Sequence, residues 1–434
     1  MAQLDLASAQ VSTIGRAIDT DTLIRSVLFI AIFLSVCISF HPFLSLAEPQ
    51  AALNEGNDRV NQIAFSIMFL VVAVVTARNE PRRLTLLLRP VLLAVLAWCA
   101  ISALASWEPF LAIRRLAFTL MFISISGMVL LLPKNLRHFG DMLAAVALIV
   151  IALCYLGVLF APSLSIHQLT DSVDTEHAGL WRGIYTQKNT AGAMMVLFIF
   201  VGMFVARARS FAVGAFIVVS ATIFLLFTAS KTDLSALPIV LILAAVIGRG
   251  RRPAVAIVMV IALIAVLNLL SVGTIYFEPV RNLVRTVMPD ATFTGRTEIW
   301  DFALRYAAQR PILGYGFSTF WGTEEAVYGL GENSSWVNGA NDAHNAYVNL
   351  ALTIGVPGLI LVVLWLVALP LIDFYRSPRE PSIAPVKMLF LRICLFAAYG
   401  SCFESLFFGV GGIWFFLLTA TFGLRFLSAT RVTT

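Results

Sequence analysis

The residues best suited to chemistry in this chain are a few cations, one histidine and one glutamate at the ends of long apolar runs. Arg182 and Lys188 lie in the segment from Trp181 to Gly192, which leads into such a run. Amides exposed at a helix start there favour an anion, and Asn189 or Thr190 is the expected cap. Lys231 lies in the brief turn Thr228-Ala229-Ser230-Lys231-Thr232-Asp233. A lysine at membrane level needs a partner or a wet cavity, and Asp233 is the simplest partner. Arg296 follows Gly295 at the head of a segment where Ile299, Phe302, Ala303 and Tyr306 recur at spacings of three and four, an amphipathic helix. Its planar fork suits a phosphate, and Glu298 is the plainer partner. Asp301 and Arg305 are spaced as an i, i+4 pair; Pro311 ends the helix and Gly314-Tyr315-Gly316 makes the turn. Arg310 is a further cation in this stretch. His344, followed by Asn345, stands at the mouth of another apolar run, with Asn341 or Asp342 as expected cap. The positive end of that helix is expected to lower its pKa and keep it neutral, and a neutral imidazole is a general base. Glu404 sits in a tight hairpin and is expected to pair with one of these cations.

Each of these residues also has a plain structural reading. Arg182 and Lys188 can snorkel to headgroups, Lys231 and Arg296 can pair locally, and His344 can be a capping or buried histidine. Asp171, Asp174, Glu176 and His177 share one loop, but their spacing fits no ligand pattern. A solvated acidic loop is the expectation, with no metal site. No phosphate-binding glycine loop, nucleotide fingerprint or GxSxG elbow occurs.

The rest of the chain supplies the elements that must hold these residues. Of its 434 residues 59% are hydrophobic and 12% charged, with a mean hydropathy of +0.89. A soluble domain carries about 25% charge, so this chain cannot coat a globule of its size with solvated groups. That excludes a soluble enzyme, a disordered chain and a disulfide scaffold, and the long unbroken apolar runs exclude a β-barrel. The five cysteines lie in or beside apolar runs and form no CxxC pair, so free buried thiols are expected. Residues 1–22 carry Asp5, Asp19 and Asp21 and lack the pattern of a cleavable signal peptide.

Twelve runs are long enough to span a bilayer: 24–44, 60–77, 90–106, 116–132, 142–161, 190–206, 211–229, 234–248, 254–272, 344–372, 387–403 and 406–427. The reading is an all-α polytopic membrane protein of about twelve helices, a single unit over 1–434. With both termini on the cytoplasmic side, the inner segments hold 19 of the 30 basic residues and 7 of the 24 acids, +12 against −6 outside. Positive charge resists translocation, so this asymmetry supports the assignment, and the excess of cations reflects topology rather than a nucleic-acid partner. Two outer loops are long, 162–189 and 273–343, the second partly helical and lying between the ninth and tenth spans. Long loops in compact folds carry function, which places the working face outside.

Taken in order, these segments resemble the O-antigen polymerase and ligase superfamily, the bacterial membrane proteins grouped with Wzy, WaaL and ExoQ. The residues that carry the resemblance are Arg182-Gly183-Ile184-Tyr185 with Lys188-Asn189 and Gly192; Ser230-Lys231; Gly295-Arg296 with Ile299-Trp300; Pro311 to Gly316; and His344-Asn345 with Gly355, Pro357 and Gly358. They cover about the second half of the chain, and the Lys188-Asn189 form is most similar to ExoQ-like exopolysaccharide proteins. Many relatives have arginine where this chain has Lys231, which offers a point charge in place of a fork. The first 160 or so residues carry no matching motif and are expected to supply scaffold and lipid contact.

The resemblance implies a GT-C-like glycosyltransferase of the bacterial inner membrane. It would move a glycan from an undecaprenyl-diphosphate carrier onto an acceptor sugar hydroxyl at the periplasmic face. The transfer would invert the anomeric centre, with no cofactor and no obligatory metal. His344 would take the acceptor's proton; Arg296 and Lys231 would contact the diphosphate with Arg182; Lys188, Asn345 and Glu404 would support them. A polymerase of repeat units is the first reading, with a chain-length regulator and an export complex as possible partners. An O-antigen ligase acting on lipid A-core is the runner-up. A flippase for the same donor, or a non-catalytic assembly subunit, are the rivals from other classes.

Overall fold

In hydrocarbon every N–H and C=O has to be matched within the chain, and apolar runs meet that demand by coiling. The computed structural model describes residues 20–38, 42–46, 59–171, 175–287, 293, 295–321, 323, 337, 340–409 and 411–429. Asp174, Thr292, Thr294 and residues 1–19 lie outside the described residues. The long helices are α1 (Thr20–Ile38), α2 (Arg59–Asn79), α3 (Pro90–Leu104), α4 (Pro109–Met128), α5 (Leu136–Phe160), α6 (Lys188–Ala208) and α7 (Phe211–Thr228). They continue with α8 (Lys231–Arg249), α9 (Pro253–Leu270), α10 (Glu278–Val287), α11 (Arg296–Gln309), α12 (Ala346–Arg376), α13 (Ala384–Gly400) and α14 (Gly412–Ala429). Among the described residues there is no strand, only an isolated bridge between Ile166 and Trp181. The chain is thus an all-α, multi-pass membrane protein.

Each of the twelve apolar runs contains a helix. Among the described residues, ten helices are long and apolar enough to cross a membrane, and α3 makes an eleventh only with the segment Pro81–Leu87, from which it bends by 59°. The remaining run, α13, has 17 residues. Two starts also move. Lys231 begins α8 and Lys188 begins α6, so both are helical residues rather than parts of connecting loops.

Helix α6 is apolar on every side and buried almost throughout, which makes it the centre of the bundle. It forms a close hairpin with α7 and also packs on α5 and α13. Helix α9 keeps Val255, Val258 and Ile261 outward, as a lipid-facing helix does. Lipid is as apolar as leucine, so specific ties between helices fall to close packing and polar contacts. At one end of the bundle Arg89 pairs with Asp373 at 2.5 Å, Ser428 donates to the same carboxylate at 3.2 Å, and Arg209 pairs with Asp141 at 2.5 Å. These contacts join segments that the charge pattern assigns to a single side. The five cysteines are free and buried.

The feature that positions the site is a break in α12. Gly355 has φ 73° and ψ 175°, a conformation open essentially to glycine alone, and Pro357 follows. Groups released by the break find partners nearby. Val356 N–H donates to Pro311 O (2.8 Å), Leu352 O accepts from Tyr315 N–H (3.0 Å), and Thr353 O accepts from Gly316 N–H (2.9 Å). From α3, Ser102 donates to Thr353 O at 3.1 Å and Trp98 to Ile354 O at 2.9 Å. The Pro311–Gly316 turn is thereby bound into the bundle and carries α11 with it. A Cβ at Gly355 would lie 2.0 Å from Ile312 O. Gly355→Ala is expected to lose roughly 1–3 kcal/mol from backbone conformation alone, read as a lower unfolding midpoint in detergent. An unchanged midpoint would show that the break is not a constraint.

Candidate active site

The site is assembled at the mouth of α12. The Asn345 side chain, fully buried, accepts from Tyr347 N–H (3.0 Å) and Val348 N–H (3.1 Å), so Asn345 caps the helix and Asn341 and Asp342 do not. Its amide donates to Asn268 Oδ1 of α9 at 2.8 Å and to Cys402 O at 2.9 Å. One side chain therefore joins α12, α9 and the hairpin between α13 and α14. Because α12 begins at Ala346, His344 stands ahead of the first turn, with φ 45° and its N–H on Asp342 Oδ1 at 2.6 Å.

Helix α11 brings the arginine. Ile299, Phe302, Ala303 and Tyr306 are buried as their spacing predicts, Asp301 pairs with Arg305 at 2.8 Å, and Trp300 Nε1 donates to Ala343 O at 2.8 Å. The last contact fixes the start of α11 beside His344. Arg296 does not turn to Glu298. Its guanidinium donates to Glu404 Oε1 at 2.7 Å and to Phe403 O. His344 Nδ1 lies 3.2 Å from Glu404 Oε2, and Asn189 Nδ2 donates to Glu404 Oε1 at 3.5 Å. Glu404 thus joins three segments far apart in sequence, as the expected partner of an outer cation. Side-chain exposures of 19% for Arg296, 33% for His344 and 27% for Glu404 leave all three open to a ligand.

Electrostatics reverse the expectation for His344. Desolvation opposes its charge most strongly and Arg296 adds repulsion, yet the hydrogen bond to Glu404 and the charges of Asp342 and Glu404 outweigh them. Its pKa is raised above the ordinary histidine value, not lowered. Burial pushes Glu404 up, but the Arg296 charge and the His344 hydrogen bond hold it below the usual glutamate value. Next to a carboxylate Nδ1 carries the proton, so neutral His344 presents a free lone pair on Nε2.

Beneath this group lies a tightly packed platform. Ser230 Oγ donates to Asp233 Oδ2 at 2.6 Å, and Asp233 is buried. A Cβ at Gly192 would meet that carboxylate at 2.5 Å, so only glycine lets α6 approach α8 here. Asp233 lies in electrostatic range of Glu404 and Lys188, which links the platform to the group above. Lys231 does not pair with Asp233; it is exposed at the head of α8. Lys188 is half-buried at the head of α6, whose cap position is Gln187, not Asn189 or Thr190.

Arg182 is not brought to the cluster. It is fully buried, and its guanidinium donates to Tyr185 O and Leu44 O, each at 2.9 Å. Among the described residues no hydrogen bond or ion pair joins it to Glu404, Arg296 or His344. Asp171 is likewise not a solvated loop acid. It is buried and accepts from Gln168 N–H while facing His167 Nδ1, both at 3.1 Å. Among the described residues no three of His, Cys, Asp and Glu converge as metal ligands. Arg310 stacks over Trp107 and Tyr315, 5.0 and 4.7 Å from the ring centroids.

Sequence reasoning missed Asn268, the Phe403 carbonyl and the turning of Asn189 toward Glu404. Asn268 carried a signal, a lone amide in an apolar run, whereas a backbone carbonyl carries none.

Residues 215–363 match the family model described as O-antigen ligase. Over that stretch, about a third of the chain, the protein is similar to this family. The matched stretch contains Lys231, Arg296 and His344, while Glu404, which contacts the last two, and Asn189 lie outside it. This is a family of polysaccharide polymerase- and ligase-type membrane enzymes, with glycosyltransferase-like activity. No curated protein matches the chain.

Asn345→Ala removes a cap worth about 1 kcal/mol together with both donor bonds to α9 and the hairpin. A lower unfolding midpoint is expected, with activity reduced further than stability alone explains. Asn345→Asp keeps the cap but loses the donors, so it should restore the midpoint in part and activity less. Equal recovery of both would argue against a role for Asn345 in placing His344.

Proposed function

We propose that the protein transfers a glycan from an undecaprenyl-diphosphate carrier onto a sugar hydroxyl, at the periplasmic face of the bacterial inner membrane, and that it extends chains of repeat units. The reading is supported above all by one observation: His344 and Arg296 meet on a common carboxylate, Glu404, at one end of the helix bundle. A cation for a leaving group and a base for a nucleophile then stand side by side at membrane level.

The roles follow from the chemistry. The acceptor oxygen forms a bond to C1 of the donor while the C1–O bond to the diphosphate breaks, and the diphosphate leaves with the electron pair. His344 Nε2 takes the hydroxyl proton, a general-base contribution of about 10²–10⁴ in rate. Arg296 stabilises the charge growing on the diphosphate, with Lys231 as a further point charge and Lys188 in support. Single displacement inverts the anomeric centre. Arg182, spent on two carbonyls, acts by holding the 182–185 turn that leads into α6. The periplasmic side follows from the positive-inside balance, since the cluster lies at the end that balance sets outside. The Lys188-Asn189 resemblance favours repeat-unit polymerisation over transfer to lipid A-core.

The test is incubation of purified protein with an undecaprenyl-diphosphate-linked repeat unit, with products resolved by chain length. Longer lipid-linked chains are expected from wild type. Transfer only onto added lipid A-core would make the protein a ligase, and donor movement across vesicles without a new glycosidic bond would make it a transporter. His344→Ala should abolish product while the protein still folds, and Arg296→Ala should lower turnover by about 10²–10³. Arg296→Lys should recover only part of that loss. Protonated imidazole cannot accept a proton, so turnover should fall as pH drops through the raised pKa of His344. Full activity two pH units below the ordinary histidine value would rule out this base.

A further inference from the structure

We infer that Glu404 is a positioning residue shared between donor grip and base, and that the donor's diphosphate draws Arg296 off Glu404 and leaves that carboxylate to His344 alone. The inference rests on the proposed glycan transfer.

Three facts carry it. The two carboxylate oxygens are divided, Oε1 to Arg296 at 2.7 Å and Oε2 to His344 at 3.2 Å. The remaining contacts of the pair are to uncharged groups, Asn189 at 3.5 Å on Glu404 and the Phe403 carbonyl on Arg296. All three charged side chains remain partly open, so an incoming anion can reach the guanidinium without dismantling the fold. A diphosphate offers Arg296 more negative charge and a better bidentate fit than one carboxylate oxygen. Once Arg296 turns to it, Glu404 loses the cation that partly neutralised it.

The charged groups facing this imidazole are few. Asp342 comes from its own segment, Glu404 from the hairpin and Arg296 from the head of α11. Behind Glu404 stand Asp233 of α8 and Lys188 of α6. The side chains that tie α9 to the mouth of α12, Asn268 and Asn345, are neutral. In the free protein Arg296 opposes the imidazolium while Glu404 and Asp342 favour it. Withdrawing Arg296 removes the opposition and strengthens the favourable side together. His344 thus becomes the stronger base when a donor is present to react, and a weaker one when it is absent.

The experiment is a pair of pH profiles on the full-length wild type with the lipid-linked repeat unit as donor. The acidic limb of kcat/KM reports His344 in the free protein, and that of kcat reports it with donor bound. The kcat limb is expected at the higher pH; coincident limbs would overturn the inference without any variant. Glu404→Gln should lower both limbs by about one pH unit and reduce the plateau of kcat, with KM for the donor changed little. A clamp that only holds the fold would lower kcat evenly at every pH and leave the limbs in place. Glu404→Asp keeps the charge with a shorter reach, and should return the limbs toward wild type with a lower kcat. If wild type turns over no such donor, the functional reading fails; if it does and the limbs stay fixed, the shared carboxylate alone fails.

Discussion

A carboxylate at membrane level has to be matched by positive charge or the protein gives up stability to keep it there. Glu404 meets that constraint by holding two partners at once, and the rest of the site is arranged to bring them. Helix α11 starts at Arg296 and is fixed by Trp300 on Ala343. Helix α12 starts just after His344 and is fixed by Asn345 on the hairpin that carries Glu404. The bonds from the Pro311–Gly316 turn to the break at Gly355 hold α11 against α12.

The break in α12 shows how an irregular backbone survives at membrane depth. Its freed carbonyls and amide are matched by α3 and by the Pro311–Gly316 turn. The same bonds anchor the segment Arg296–Gly316 to the bundle. That anchoring turns the segment from a long connection into part of a site. It also explains why glycine and proline, unfavourable in an ordinary helix, stand within one of the longest spans.

Much of the fold was legible because hydrocarbon imposes a simple rule. Each of the twelve apolar runs became a helix, and α11 buried the face that its three- and four-residue spacing predicted. Length was less legible. Whether 17 residues in α13 or a helix bent by 59° amounts to a crossing depends on tilt and neighbours, which no single run encodes. Caps were misread for the same reason. Asn341, Asp342 and Asn345 are chemically alike, and only the hairpin's demand for donors selects Asn345.

Within the site, the sequence by itself determined which side chains have chemistry to offer and at which end of the bundle they gather, because charges in an apolar chain are few and topology sorts them. It marked His344, Arg296 and Glu404. Tertiary structure alone decided the pairing. Arg296 chose Glu404, 108 residues away, over Glu298 two residues away, because α11 presents it to the hairpin. Arg182 was taken out of the cluster by two backbone carbonyls that no side-chain pattern announces. The pKa of His344 was raised rather than lowered for the same reason: the field at an imidazole is set by which charges the fold brings within a few ångströms, and sequence distance carries no such information.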